Sequence, residues 1–102
     1  MGKNYGNEQL NMPVYFKRYL KSVTRERERV QYEFKFDNNY GASVIKGIMS
    51  YGHEDDLWEL AVLEYDKHGV YIITYDTPIS NDVVGYLTEK DVLELLIQIR
   101  EL

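Results

Sequence analysis

The chain has 102 residues and 44% hydrophobic content, enough for one folded domain with a modest core and too apolar for a disordered tail. Its 12 Lys/Arg stand against 17 Asp/Glu, a net charge of −5, so bulk attraction to nucleic acid is not expected. No cysteine is present, which excludes disulfides, a catalytic thiol and thiolate metal sites and is compatible with a reducing cytoplasm.

Residues 1–10 are rich in Gly, Asn and Lys and read as a flexible N-terminus without the apolar stretch of a signal peptide. Residues 11–102 read as one domain. Asn11-Met12-Pro13 can start a helix, and Met12, Phe16, Tyr19, Leu20 and Val23 then share one helical face, which predicts a short amphipathic helix. From Thr24 to Asp37 the period changes to two. Glu28, Val30, Tyr32, Phe34 and Phe36 alternate with Arg29, Gln31, Glu33 and Lys35, the pattern of a half-buried strand. Asp37–Gly41 is turn chemistry. A second strand is expected over Ala42–Ser50, with Gly47 as a bulge or a close approach.

Leu57–Asp76 is the centre of the reading. Two runs rich in β-branched and aromatic residues flank Asp66-Lys67-His68-Gly69, which predicts a hairpin. Pro78 marks a loop. Val83–Leu87 leads into a helix from about Glu89 to Leu102, with Thr88 as N-cap and Asp91 completing a capping box. Val92, Leu95, Leu96, Ile99 and Leu102 form its apolar stripe, widened by Leu93 and Ile97, so either the sheet wraps it or a second copy covers it. The expected fold is α+β: a four-stranded antiparallel meander with an N-terminal and a C-terminal helix packed on it. No apolar run is long enough to cross a bilayer.

Function is less legible. There is no G-x-S-x-G, no G-x-G-x-x-G and no G-x-x-x-x-G-K-[ST], so no enzyme and no cofactor are expected. His53-Glu54-Asp55-Asp56 contains metal-capable groups, but consecutive residues rarely converge on an ion, and a solvated acidic loop is the better reading. Ten tyrosines are present, and tyrosine is enriched at protein–protein contacts. Charge is uneven: residues 1–35 hold eight Lys/Arg and four Asp/Glu, residues 36–102 four and thirteen. Asp55, Asp56, Glu59, Glu64, Asp66, Tyr75, Asp76 and Asp82 are the candidate protein-binding residues, an acidic, tyrosine-bearing surface suited to a basic groove on another protein. The alternative is a nucleic-acid-binding regulator using Lys17, Arg18, Lys21, Arg25, Arg27 and Arg29.

Four segments, Asn39–Ile45, Leu57–Leu63, Thr74–Ile79 and Val83–Thr88, resemble small accessory proteins encoded by bacteriophages and prophages. The resemblance spans residues 39–102 and brings no catalytic residues. It implies a bacterial cytoplasmic setting and a host protein as partner, with inhibition of a defence system such as a CRISPR or restriction nuclease as the role. A homodimer remains open, and no membrane partner is expected.

Overall fold

A computed structural model describes residues 3–48, 50, 56–79 and 83–102. The chain builds one antiparallel sheet from β1 (Leu20–Arg25), β2 (Arg29–Lys35), β3 (Tyr40–Gly47), β4 (Trp58–Tyr65), β5 (Tyr71–Ile73) and β6 (Val84–Leu87), followed by helix α1 (Glu89–Arg100). The order is β1-β2-β3-β4-β5, with β6 also paired to β4. The far side of β4 is shared: Trp58 and Leu60 pair with Leu87 and Val84 of β6, and Leu63 to Tyr65 pair with Ile73 to Tyr71 of β5. The sheet therefore ends in β1 on one side and in β5 with β6 on the other.

The period-two pattern sorts the two faces. Val30, Tyr32 and Phe34 of β2, Ala42 and Val44 of β3, and Trp58, Leu60 and Val62 of β4 turn to one side, where Val92, Leu96 and Ile99 of α1 close the core. Burying side chains of this size contributes about 1.5–3 kcal/mol each. The opposite face carries Gln31, Ser43, Ile45, Ala61 and Leu63, and no helix of the described residues packs on it. Gly41 lies where β2 and β3 are tightest: a Cβ there would stand 2.0 Å from the Phe34 carbonyl oxygen and 2.8 Å from the Tyr65 ring. Gly47 is likewise a close approach, 2.6 Å from such a Cβ to the Glu28 carbonyl oxygen.

The α+β class, the Leu57–Asp76 hairpin and the C-terminal helix agree with the sequence. Thr88 accepts from the Asp91 N–H at 3.1 Å and Asp91 accepts from the Thr88 N–H at 3.0 Å, the reciprocal cap. The helix C-terminus is held by Asn38, whose amide donates to the carbonyls of Ile99, Arg100 and Leu102. Three expectations are corrected. The four-stranded meander is a six-stranded sheet, and the N-terminal helix is a 3-10 segment, Val14–Tyr19, that runs directly into β1. Ser22-Val23-Thr24 favours an extended chain, and pairing with β2 gives its backbone partners that an isolated short helix would lack. The turn joining β1 to β2 is Glu26–Arg29, closed by Glu26 N–H to Arg29 O at 2.8 Å; with neither Gly nor Asn it gave no turn signal. Residues 3–10, read as a flexible end, lie against the sheet with Tyr5 and Leu10 buried.

Candidate functional site

Asp56, Glu59, Glu64, Asp66 and Asp76 are not brought onto one surface. Asp56 and Asp66 bracket β4, and at about 3.3 Å per residue they sit roughly 30 Å apart. Glu59 and Glu64 are an odd number of positions apart on that strand and face opposite sides of the sheet. Asp66 is occupied in its own turn, accepting from the N–H groups of His68 at 2.8 Å and Val70 at 3.0 Å. Tyr75 and Asp76 are exposed just beyond β5. Asp55 and Asp82, together with His53 and Glu54, lie outside the described residues. Among the described residues no group of His, Asp and Glu side chains is arranged to hold a metal ion.

The basic segment is also divided. Arg25 is a clamp: its guanidinium donates to the carbonyls of Gly6 and Glu8, to the Gln9 side chain and to the Tyr32 hydroxyl, at 2.7–3.2 Å. Lys21 reaches over the open face to Glu33 (3.6 Å) and lies 4.8 Å from the Tyr65 ring centre. Arg29 donates to Gln31 at 3.1 Å, on the same open face. Arg18 stacks on Tyr19, and Lys17 and Arg27 are exposed.

Two charged clusters close on themselves. In one, Lys46, only 4% exposed, projects from β3 under the N-terminal segment. Its ammonium lies 3.5 Å from Asp56, 3.8 Å from Glu8 and 4.5 Å from the centre of the Trp58 ring. Lys3 joins both carboxylates, and its hydrogen bond holds the Asp56 carboxyl below the usual carboxylate range. A buried lysine persists here because two anions and a π-face replace its water. In the other, the Tyr65 hydroxyl donates to Glu33 at 2.5 Å, and burial, reinforced by that carboxylate, pushes the phenol far above its ordinary value. Such partners leave both clusters suited to holding the fold.

What remains open is apolar. Val70, Tyr71, Ile72, Ile73 and Tyr75 stand exposed along β5, with Ile72 at 65%. Tyr86, on the neighbouring β6, is 62% exposed with φ +58°. A bulky residue in the left-handed region is strained, and the strain falls where β6 slips its register against β4. Beside this strip, on the helix-free face, lies a groove of about 330 Å³. Ile45, Ala61, Leu63, Tyr71, Ile73 and Val83 make its apolar lining, and Arg29, Gln31, Ser43 and Glu59 its polar one. Tyr71 and Ile73 belong to both features, so groove and edge are continuous.

Of this surface, only Tyr75 is among the residues that charge and tyrosine content single out in the sequence. Val70–Tyr75 contains no charge, which was visible, but an apolar run of that length reads equally as a buried strand. Protein-family models, curated proteins and solved structures give no match to the chain. No helix among the described residues is long and apolar enough to cross a membrane.

Proposed function

We propose that the chain is a non-catalytic binding protein that works through the groove on its helix-free face and the adjoining β5–β6 edge. One observation carries this reading: six large apolar side chains, Val70, Tyr71, Ile72, Ile73, Tyr75 and Tyr86, stand exposed along the β5–β6 edge, with Tyr71 and Ile73 also lining the groove, while the two charged clusters are satisfied internally. Contiguous exposed apolar surface on a small domain is costly and marks a contact site, and tyrosine supplies contact area at low entropic cost. The partner class rests on the resemblance to phage accessory proteins: a host protein in the bacterial cytoplasm, with a nucleic-acid-handling defence nuclease as the class to assay and inhibition as the effect.

The acidic residues do not share a face, so apolar contact leads and binding should depend only weakly on salt. The test compares wild type with a Tyr86→Ala, Ile45→Lys double variant. Capture from host lysate identifies the partner, and titration of the purified pair at low and high salt follows. A complex that survives salt and is lost in the double variant is the expected result. Equal binding by both proteins would overturn the reading.

A further inference from the structure

Building on this surface as a protein-contact site, we infer that β5 pairs antiparallel with β5 of a second copy, joining two sheets edge to edge. The backbone makes the first argument. Asp66 N–H donates to Val70 O at 2.8 Å and Thr74 N–H to Val62 O at 2.9 Å, so 66–70 and 62–74 are hydrogen-bonded pairs. Antiparallel alternation makes 64–72 the next such pair and leaves the N–H and C=O of Tyr71 and Ile73 pointing away from β4. A second β5 centred on Ile72 satisfies all of them. Tyr71 then meets Ile73 of the other copy, and Ile73 meets its Tyr71, each pair exchanging two hydrogen bonds about a two-fold axis.

Side chains agree with that register. Ile72 faces its own counterpart, Tyr71 faces Ile73, and Val70 faces Thr74, the β-branched and aromatic pairs that stabilise antiparallel sheets. Charge agrees as well. Residues 70–75 carry none, and the strip is flanked by Lys67-His68 on one side and Asp76 on the other. With exposures of 38–65%, Val70, Tyr71, Ile72, Ile73 and Tyr75 offer at most on the order of 500 Å² per copy, an upper bound that sets the joint at the lower limit of specific interfaces, ~1,000 Å² in all. The pairing places the two grooves side by side on one continuous sheet face and leaves Tyr86 and Ile45 for a different partner.

Sedimentation equilibrium of the full chain tests this. The mass should rise from 12.1 kDa toward twice that value with concentration. The Ile72→Lys variant, which places a charge at the two-fold axis, should stay at 12.1 kDa with an unchanged circular dichroism spectrum. Should the variant fail to fold, amide exchange on the wild type decides: the Tyr71 and Ile73 amides should slow as concentration rises. A wild type that remains monomeric overturns the inference. So does a dimer in which those two amides exchange freely. A monomer whose partner binding still depends on Tyr86 and Ile45 would overturn the pairing and leave the proposed function standing. A β5-paired dimer whose partner binding ignores both residues would do the reverse.

Discussion

The two ends of the sheet are built on opposite principles. At β1, Lys21, Ser22, Thr24 and Arg25 clothe the outer strand, a register slip between Leu20 and Ser22 bends it, and the N-terminal segment is tied across its end by the Arg25 guanidinium. Charge, irregularity and cover are the devices by which an edge refuses another strand. At β5 the strip itself offers neither charge nor irregularity among the described residues: Val70–Tyr75 is aliphatic and aromatic apart from Thr74, uncharged and without proline. The contrast is the basis on which β5 is proposed as the pairing edge.

The largest effect should come from dismantling the guard. Arg25→Ala removes four charge-assisted hydrogen bonds to residues 6–9 and Tyr32. It should cost about 2 kcal/mol in urea unfolding and open residues 3–10 to proteolysis. Unchanged stability would mean that the segment is held by burial of Tyr5 and Leu10 alone. On the open side, Tyr86→Gly should raise stability by about 1 kcal/mol, because glycine adopts a φ of +58° without strain and little buried area is lost. Destabilisation would show that the tyrosine ring supports the fold, contrary to its assignment as a contact residue.

Acid should also loosen the guarded side, at a pH below the ordinary carboxylate range. The Asp56 carboxyl is held low by Lys3, so its contribution is present above the ordinary carboxylate value and disappears as the pH falls through its lower folded value. Amide exchange in residues 3–10 should accelerate over that interval, and Asp56→Asn should abolish the dependence. The smallest change in fold stability should follow from giving β5 the guard that β1 has. Ile72→Lys lies on an exposed position and should shift unfolding by less than ~0.5 kcal/mol, while its effect on self-association should be complete.

Much of this architecture was legible in the residues. The capping box at Thr88 and Asp91, the alternation from Glu28 to Phe36 and the Asp66–Gly69 turn are local signals, and each specified its element because capping, pleat and turn need only near neighbours. β1 was missed because its turn, Glu26–Arg29, has no turn-favouring residue and because its extended form depends on pairing with β2. β6 was missed because four residues paired to a distant strand, one of them at positive φ, have no local signature. The division of Glu59 and Glu64 between faces was available from their odd spacing along β4. The burial of Lys46 was not, since lysine on a strand reads as a solvated position until Glu8, Asp56 and Trp58 converge on it.

By itself the sequence determined the class of the fold, the C-terminal helix, the central hairpin and the lack of a recognisable catalytic motif, all through periodicity and caps that act over a few residues. Only the tertiary structure decided that Tyr71–Ile73 is an outer strand and that Lys3, Glu8, Lys46 and Asp56, and Lys21 with Glu33, neutralise one another in separate clusters. Whether an apolar strand is core or contact surface depends on what lies beside it, and that neighbour is chosen by the packing of the whole sheet.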